Sequence, residues 1–89
     1  MVGDIDYEKV VNFGAFGYSI EKMASILMIE QEDIKKELNN STSDFYKHYE
    51  KGRHMADYVI DLKLFELAQS GDLKALEEYE FRKNKRKRK

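Results

Sequence analysis

The chain of 89 residues contains no cysteine, no proline and no tryptophan. Without cysteine there is no disulfide framework, no thiolate zinc site and no thiol nucleophile, and the reducing cytoplasm is the natural compartment. Without proline, the only helix breakers are five glycines, at positions 3, 14, 17, 52 and 71. No apolar run approaches the roughly 20 residues that span a bilayer, and the acidic opening MVGDIDYEKV lacks the order of a secretory signal. The chain reads as soluble and unprocessed. Histidine is scarce as well: His48 and His54 stand six residues apart, on opposite sides of a helix, and cannot jointly hold a metal. Their neighbours Asp44 and Glu50 lie four residues before them, a spacing that reads as surface ion pairs. There is no glycine-rich phosphate loop and no serine nucleophile motif. No enzyme activity, cofactor or metal site is expected.

What the sequence does contain is lysine, glutamate, leucine and alanine in helical periodicity, with no alternation of apolar and polar residues between turn signals. The expected class is all-α. Formal net charge is −1, but the charges are segregated. Residues 1–81 hold nine lysines and arginines against seventeen acids, whereas residues 82–89, RKNKRKRK, hold seven positive charges and no acid. An acidic body thus carries a basic tail, expected to be disordered, that can neutralise phosphates without sequence preference.

The spacing predicts a first helix from residue 4 or 6 to Phe13, ended by Gly14 and Gly17. Ser19 is a good N-cap for a second helix over residues 20–28, whose Ile20, Met23, Ala24 and Leu27 share one face. A third short helix is expected over residues 31–39, with Ile34 and Leu38 one turn apart and most of its surface exposed. Five polar turn formers, Asn39 to Ser43, mark the clearest boundary, and Ser41 with Asp44 resembles a capping arrangement. A long helix over residues 42–70 follows, with Gly52 as a point where it could kink. Gly71 suits its end, and Asp72 suits the cap of a fifth helix reaching about Phe81. The organisation reads as a three-helix unit over 1–40, a helical hairpin over 41–81 and the tail over 82–89.

The segment GYSIEKMASILMIEQEDIKKEL has the layout of a helix-turn-helix, in which a short turn sets two helices at a steep angle and the second can enter the major groove. Ala24 is small where the axes cross, Ile29 plugs the turn, and Leu27, Ile34 and Leu38 bind the helices together. Met28 stands where such turns usually carry glycine, and Glu30 replaces the usual Ser or Thr cap. On DNA the third helix would offer Gln31, Lys35, Lys36 and Asn39. Gln and Asn can pair with adenine, and Lys with guanine or phosphate. The tail residues Arg82, Lys83, Lys85, Arg86, Lys87, Arg88 and Lys89 would add charge. Against this, residues 30–39 carry four acids and two lysines, which opposes approach to a polyanion and equally fits a solvated face with pairs such as Glu32 with Lys35.

From Tyr58 to Ala68 the long helix is apolar nearly all round, which implies burial on more than one side. The hairpin partner covers only part of it, so self-association is expected through Met55, Val59, Leu62, Phe65, Leu73 and Leu76. The aromatics Phe45, Tyr46, Tyr49, Tyr58 and Tyr79 are read as core packing ahead of base stacking.

The order of these segments, the helix-turn-helix, then DFYKHYEKG, then MADYVIDLKLFELAQSGDLKALEEYEFR with its Ala68, Gly71 and Asp72 turn and Ala75, resembles the phage small terminase subunits. That resemblance covers roughly residues 10–82. It implies recognition of viral DNA for packaging, a ring-like homo-oligomer built through the hairpin, and a large ATPase and nuclease subunit as partner, in the host cytoplasm. Two other readings fit the residues. One is a helix-turn-helix transcriptional regulator, dimeric on a palindromic site. The other is a protein-binding adaptor whose acidic helix-turn-helix no longer touches DNA.

Overall fold

A computed structural model describes residues 4–87. Among them the regular structure is entirely helical: α1 (Tyr7–Phe16), α2 (Ile20–Leu27), α3 (Gln31–Leu38), α4 (Asp44–Gln69) and α5 (Leu73–Lys87). Two compact units divide the chain within α4, one up to Ala56 and the other from Asp57.

Local chemistry sets most helix ends. Asp6 caps α1 by accepting the Glu8 N–H, and Ser19 caps α2 by accepting the Lys22 N–H. Such caps contribute on the order of 1 kcal/mol each. Ser43, rather than Ser41, caps α4: its hydroxyl accepts the Tyr46 N–H and donates to a Glu37 carboxylate oxygen at 2.6 Å. The preceding polar run is occupied differently. Asn40 accepts from both the backbone and the hydroxyl of Thr42, closing a side-chain turn that delays the helix start. Asp72 caps α5 through the Ala75 N–H, after a turn in which Gly71 adopts φ 103°.

The first unit is built on α1, α2, α3 and the first half of α4. Val10, Phe13, Met23, Ala24, Ile34 and Phe45 form its buried core, and Tyr18, Leu27, Ile29, Leu38 and Tyr49 pack around them. The Tyr49 hydroxyl donates to the Tyr18 carbonyl oxygen, and the Phe13 and Tyr18 rings stack at 5.7 Å. This satisfies the polar end of a largely covered tyrosine while its ring fills the core margin.

The glycines behave differently from the sequence expectation. Gly14 does not end α1; the helix continues to Phe16, and Gly17 ends it with φ 71°. Gly52 does not break α4, which is one helix through that point. Both are buried and face a neighbouring backbone. A Cβ on Gly14 would overlap the Tyr49 carbonyl, and one on Gly52 would overlap the Val11 carbonyl. The two glycines are therefore the mutual contact by which α1 and α4 lie backbone against backbone, a separation that any side chain would prevent.

In the second unit α5 runs back along α4, and the pairing is polar as well as apolar. Phe65 meets Tyr79 at 5.6 Å between ring centroids, and Ala75 is the buried apolar residue here. Arg82 donates to Asp61 at 2.6 Å and to Asp57 at 3.3 Å, and Arg86 donates to Asp61 at 2.7 Å. These contacts correct the expectation of a disordered tail from Arg82 onward. The segment is helical through Lys87, because the i,i+4 arginines meet i,i+4 aspartates on the facing helix and cations are favoured near a helix C-terminus. Arg88 and Lys89 lie outside the described residues.

Candidate nucleic-acid interface

α2 and α3 are joined by the short turn at Met28, Ile29 and Glu30. Met28 ends α2 in the left-handed region, with φ 59° and ψ 45° and 89% of its surface exposed. Glycine takes this conformation without strain, and the chain carries methionine there. The conformation costs a residue with a Cβ about 1–2 kcal/mol. The turn holds its shape because Ile29, next along, donates its N–H to the Ala24 carbonyl and packs on the core. Ala24 is buried and Ile34 fully so, which brings the two helices together at their small and branched residues.

With Ile34 and Leu38 fixed inward, helical geometry rotates the opposite face outward. Gln31, Lys35, Lys36 and Asn39 are all exposed; Lys36 and Asn39 lie away from Ile34 and Leu38, Lys35 lies on the flank, and Gln31, seven residues before Leu38, is exposed at the helix start on nearly the same side as Leu38. Lys35 pairs with Glu32 at 3.8 Å, an exposed i,i+3 contact of the kind that contributes little to stability. Glu30 caps α3 without a side-chain hydrogen bond, while Glu32 and Asp33 occupy its first turn and Lys35 and Lys36 its last. That order follows the helix dipole, acids at the positive end and cations at the negative end. The first-turn acids thus have a local structural reason, and Glu37, in the last turn, instead accepts the Ser43 hydroxyl.

The remaining basic residues fall into two sets. Arg82 and Arg86 are engaged with Asp57 and Asp61. The hydrogen bond from Arg82 holds the Asp61 carboxyl below the ordinary carboxylate range; partial burial opposes this, and the charges of both arginines reinforce it. The same bond raises Arg82 further. Lys83 lies over the Tyr79 ring at 5.7 Å, and Lys85 is exposed. The basic segment is therefore a helical ridge with part of its charge already neutralised. Asp57 and Asp61 escaped the sequence reading, although their i,i+4 spacing matching that of Arg82 and Arg86 was visible in it.

Of the six residues expected at an oligomer interface, Met55, Val59, Leu62, Phe65, Leu73 and Leu76, each is at least 40% exposed. Tyr58, assigned to core packing, is 59% exposed, because it lies beside the α5-facing side of α4 and not on it. Phe45, by contrast, is fully buried. A second aromatic group escaped notice: Phe16 and Tyr18 meet at 5.2 Å, with the Lys22 ammonium 4.5 Å from the Tyr18 ring centroid.

His48 does not pair with the Asp44 carboxylate. Its Nδ1 meets the Asp44 carbonyl at 2.7 Å and its ring stacks on Tyr7 at 4.6 Å. His54 does approach Glu50, at 3.6 Å, and Glu50 also receives Arg53 at 2.6 Å. Among the described residues no group of three or more acidic or histidine side chains is arranged to hold a metal, and no helix is long and apolar enough to cross a membrane. The chain matches no family model, no curated protein and no solved structure.

Proposed function

We propose that the chain is a double-stranded-DNA-binding subunit of the small terminase type, acting as an oligomer beside a large ATPase and nuclease subunit. The observation that carries the reading is the α2 and α3 pair. Ala24, Ile29 and Ile34 lock it, Met28 turns it, and α3 leaves Gln31, Lys35, Lys36 and Asn39 exposed, from the flank beside Leu38 round to the side opposite Ile34. This is the arrangement by which a helix-turn-helix offers one helix to the major groove. Gln31 and Asn39 supply base preference, Lys35 and Lys36 meet phosphate or guanine, and Lys83 and Lys85 on α5 add unspecific attraction. The exposed apolar residues of α4 and α5 support assembly, and multivalency offsets the weak affinity of an acidic α3. The acids around Lys35 and Lys36 favour a second reading, an adaptor that engages a basic protein.

Fluorescence anisotropy with a labelled duplex separates the two. Replacing Lys35 and Lys36 together by Glu should weaken binding at least tenfold in low salt and reduce the steepness of its salt dependence by about two phosphate contacts. Unchanged binding in that variant would remove α3 from the interface and leave the adaptor reading.

A further inference from the structure

On α4 from Asp57 onward, where Asp57 and Asp61 meet the arginines of α5, the half-buried residues are Asp57, Asp61, Leu64 and Ala68, at a spacing of four, three and four, with Leu67 at their edge. Immediately beside them, rotated by about 100°, lies a second stripe of identical spacing: Tyr58, Leu62, Phe65 and Gln69. All four are exposed, as is Val59 on the stripe's flank. A spacing of four, three and four is the seam of a helix that packs along another helix, with Leu62 and Gln69 in one class of layer and Tyr58 and Phe65 in the other. Phe65 touches α5 along one edge, at Tyr79, and is still 41% exposed, and the rest of the seam is uncovered. Ala75 is the one buried apolar residue of the unit from Asp57 onward among the described residues, so most of the apolar surface that should stabilise it still faces water.

We propose that this seam pairs with the same seam of a second copy of the chain, with the two α4 helices antiparallel. The stripe is complementary to itself in that direction only. Antiparallel layers set each Leu62 against the partner copy's Phe65 and each Tyr58 hydroxyl against a Gln69 amide, a hydrogen-bonding pair at both ends of an apolar centre. The flanking acids then meet uncharged residues, Asp61 beside Ala68 and Glu66 beside Val59. Parallel pairing instead sets Asp61 against Glu66 and stacks Tyr58 on Tyr58 and Gln69 on Gln69, which leaves two acids opposed along each rim. A symmetric contact of this kind is isologous and closes at two chains.

The proposal rests on the oligomer of the function above and is independent of its DNA contacts. Because the chain has no cysteine, introduced thiols report geometry without background. Tyr58→Cys with Gln69→Cys in one full-length chain should oxidise to a covalent dimer, whereas each single variant stays monomeric on a denaturing gel. The two positions are eleven residues, about 16 Å, apart on one helix and cannot bridge within a chain. Adding Leu62→Lys should abolish the cross-link, and far-ultraviolet circular dichroism should remain helical because Leu62 is exposed in the single chain. Light scattering on the unmodified chain at tens of micromolar should give two chains or a multiple of two. Self-linking of the single Tyr58→Cys variant would overturn the antiparallel arrangement, and a monomer in light scattering would overturn the pairing altogether. If duplex binding in anisotropy persists in that monomer, the DNA contacts survive the loss of this seam; if it is absent from an otherwise cross-linked dimer, the DNA reading fails alone.

Discussion

Inside a helix, glycine costs about 0.5–1 kcal/mol relative to alanine in backbone entropy, and Gly14 and Gly52 both bear that cost. It is offset by the approach of α1 to α4, where either Cβ would overlap a carbonyl of the other helix. Met28 is the converse case, a side chain at a left-handed position that glycine would occupy without strain. Opposite shifts follow in one urea denaturation series. Gly52→Ala should lose at least about 2 kcal/mol, as overpacking of a filled site does, despite alanine's better helix propensity. Met28→Gly should gain up to about 1 kcal/mol, the relief of left-handed strain less the added entropy of glycine. A stable Gly52→Ala protein would mean that the two helices do not meet at this residue. The sequence showed both glycines, but read alone they looked like breaks. Whether a glycine interrupts a helix or lets two helices touch depends on what stands opposite it, here Tyr49 and Val11.

At the scale of elements, α5 is held to α4 by Asp57, Asp61, Arg82 and Arg86, and this pairing gives the second unit a pH dependence. The folded Asp61 carboxyl lies below its unfolded value, chiefly through the Arg82 hydrogen bond. Its contribution is therefore fully present above the unfolded carboxylate value near 3.9 and is lost as pH falls through the lower folded value. Circular dichroism on acidification should show a loss of helix below about pH 4 in the native chain. An Asp61→Asn variant should begin less helical at neutral pH and show a smaller acid step. Equal acid steps in the two proteins would mean that Arg82 and Arg86 do not anchor α5 through Asp61. The five helices themselves were legible in periodicity and capping: Ser19 and Asp72 cap where expected, and the spacing of Ile20, Met23, Ala24 and Leu27 marks the buried side of α2. The extension of α5 past Phe81 was not legible, because a run of like charges reads as a tail until the acids facing it are known. The cap at Ser43 was missed because Asn40 and Thr42 bond to each other first, and only then does the chain turn into α4.

At the scale of the molecule, two surfaces oppose each other in character. The α3 face is polar and of mixed charge, whereas α4 and α5 expose large apolar side chains from Tyr58 to Phe81 among their charged residues. The apolar set was readable from a helix hydrophobic nearly all round. The outer face of α3 was readable from Ile34 and Leu38, which fix the inward side. What periodicity does not carry is the partner for either face, since exposure gives the chemistry of a surface and not its occupant. A subunit that reads DNA weakly through α3 and assembles through α4 should show the two properties coupled, because each added copy brings another α3 to the duplex.

Size-exclusion chromatography with light scattering, on the full chain near micromolar and tenfold higher, with and without duplex DNA in low and moderate salt, tests that coupling most directly. A multimer that gains mass with duplex in low salt and releases it as salt rises is the predicted result. A monomer whose mass is indifferent to DNA at every salt concentration would contradict it.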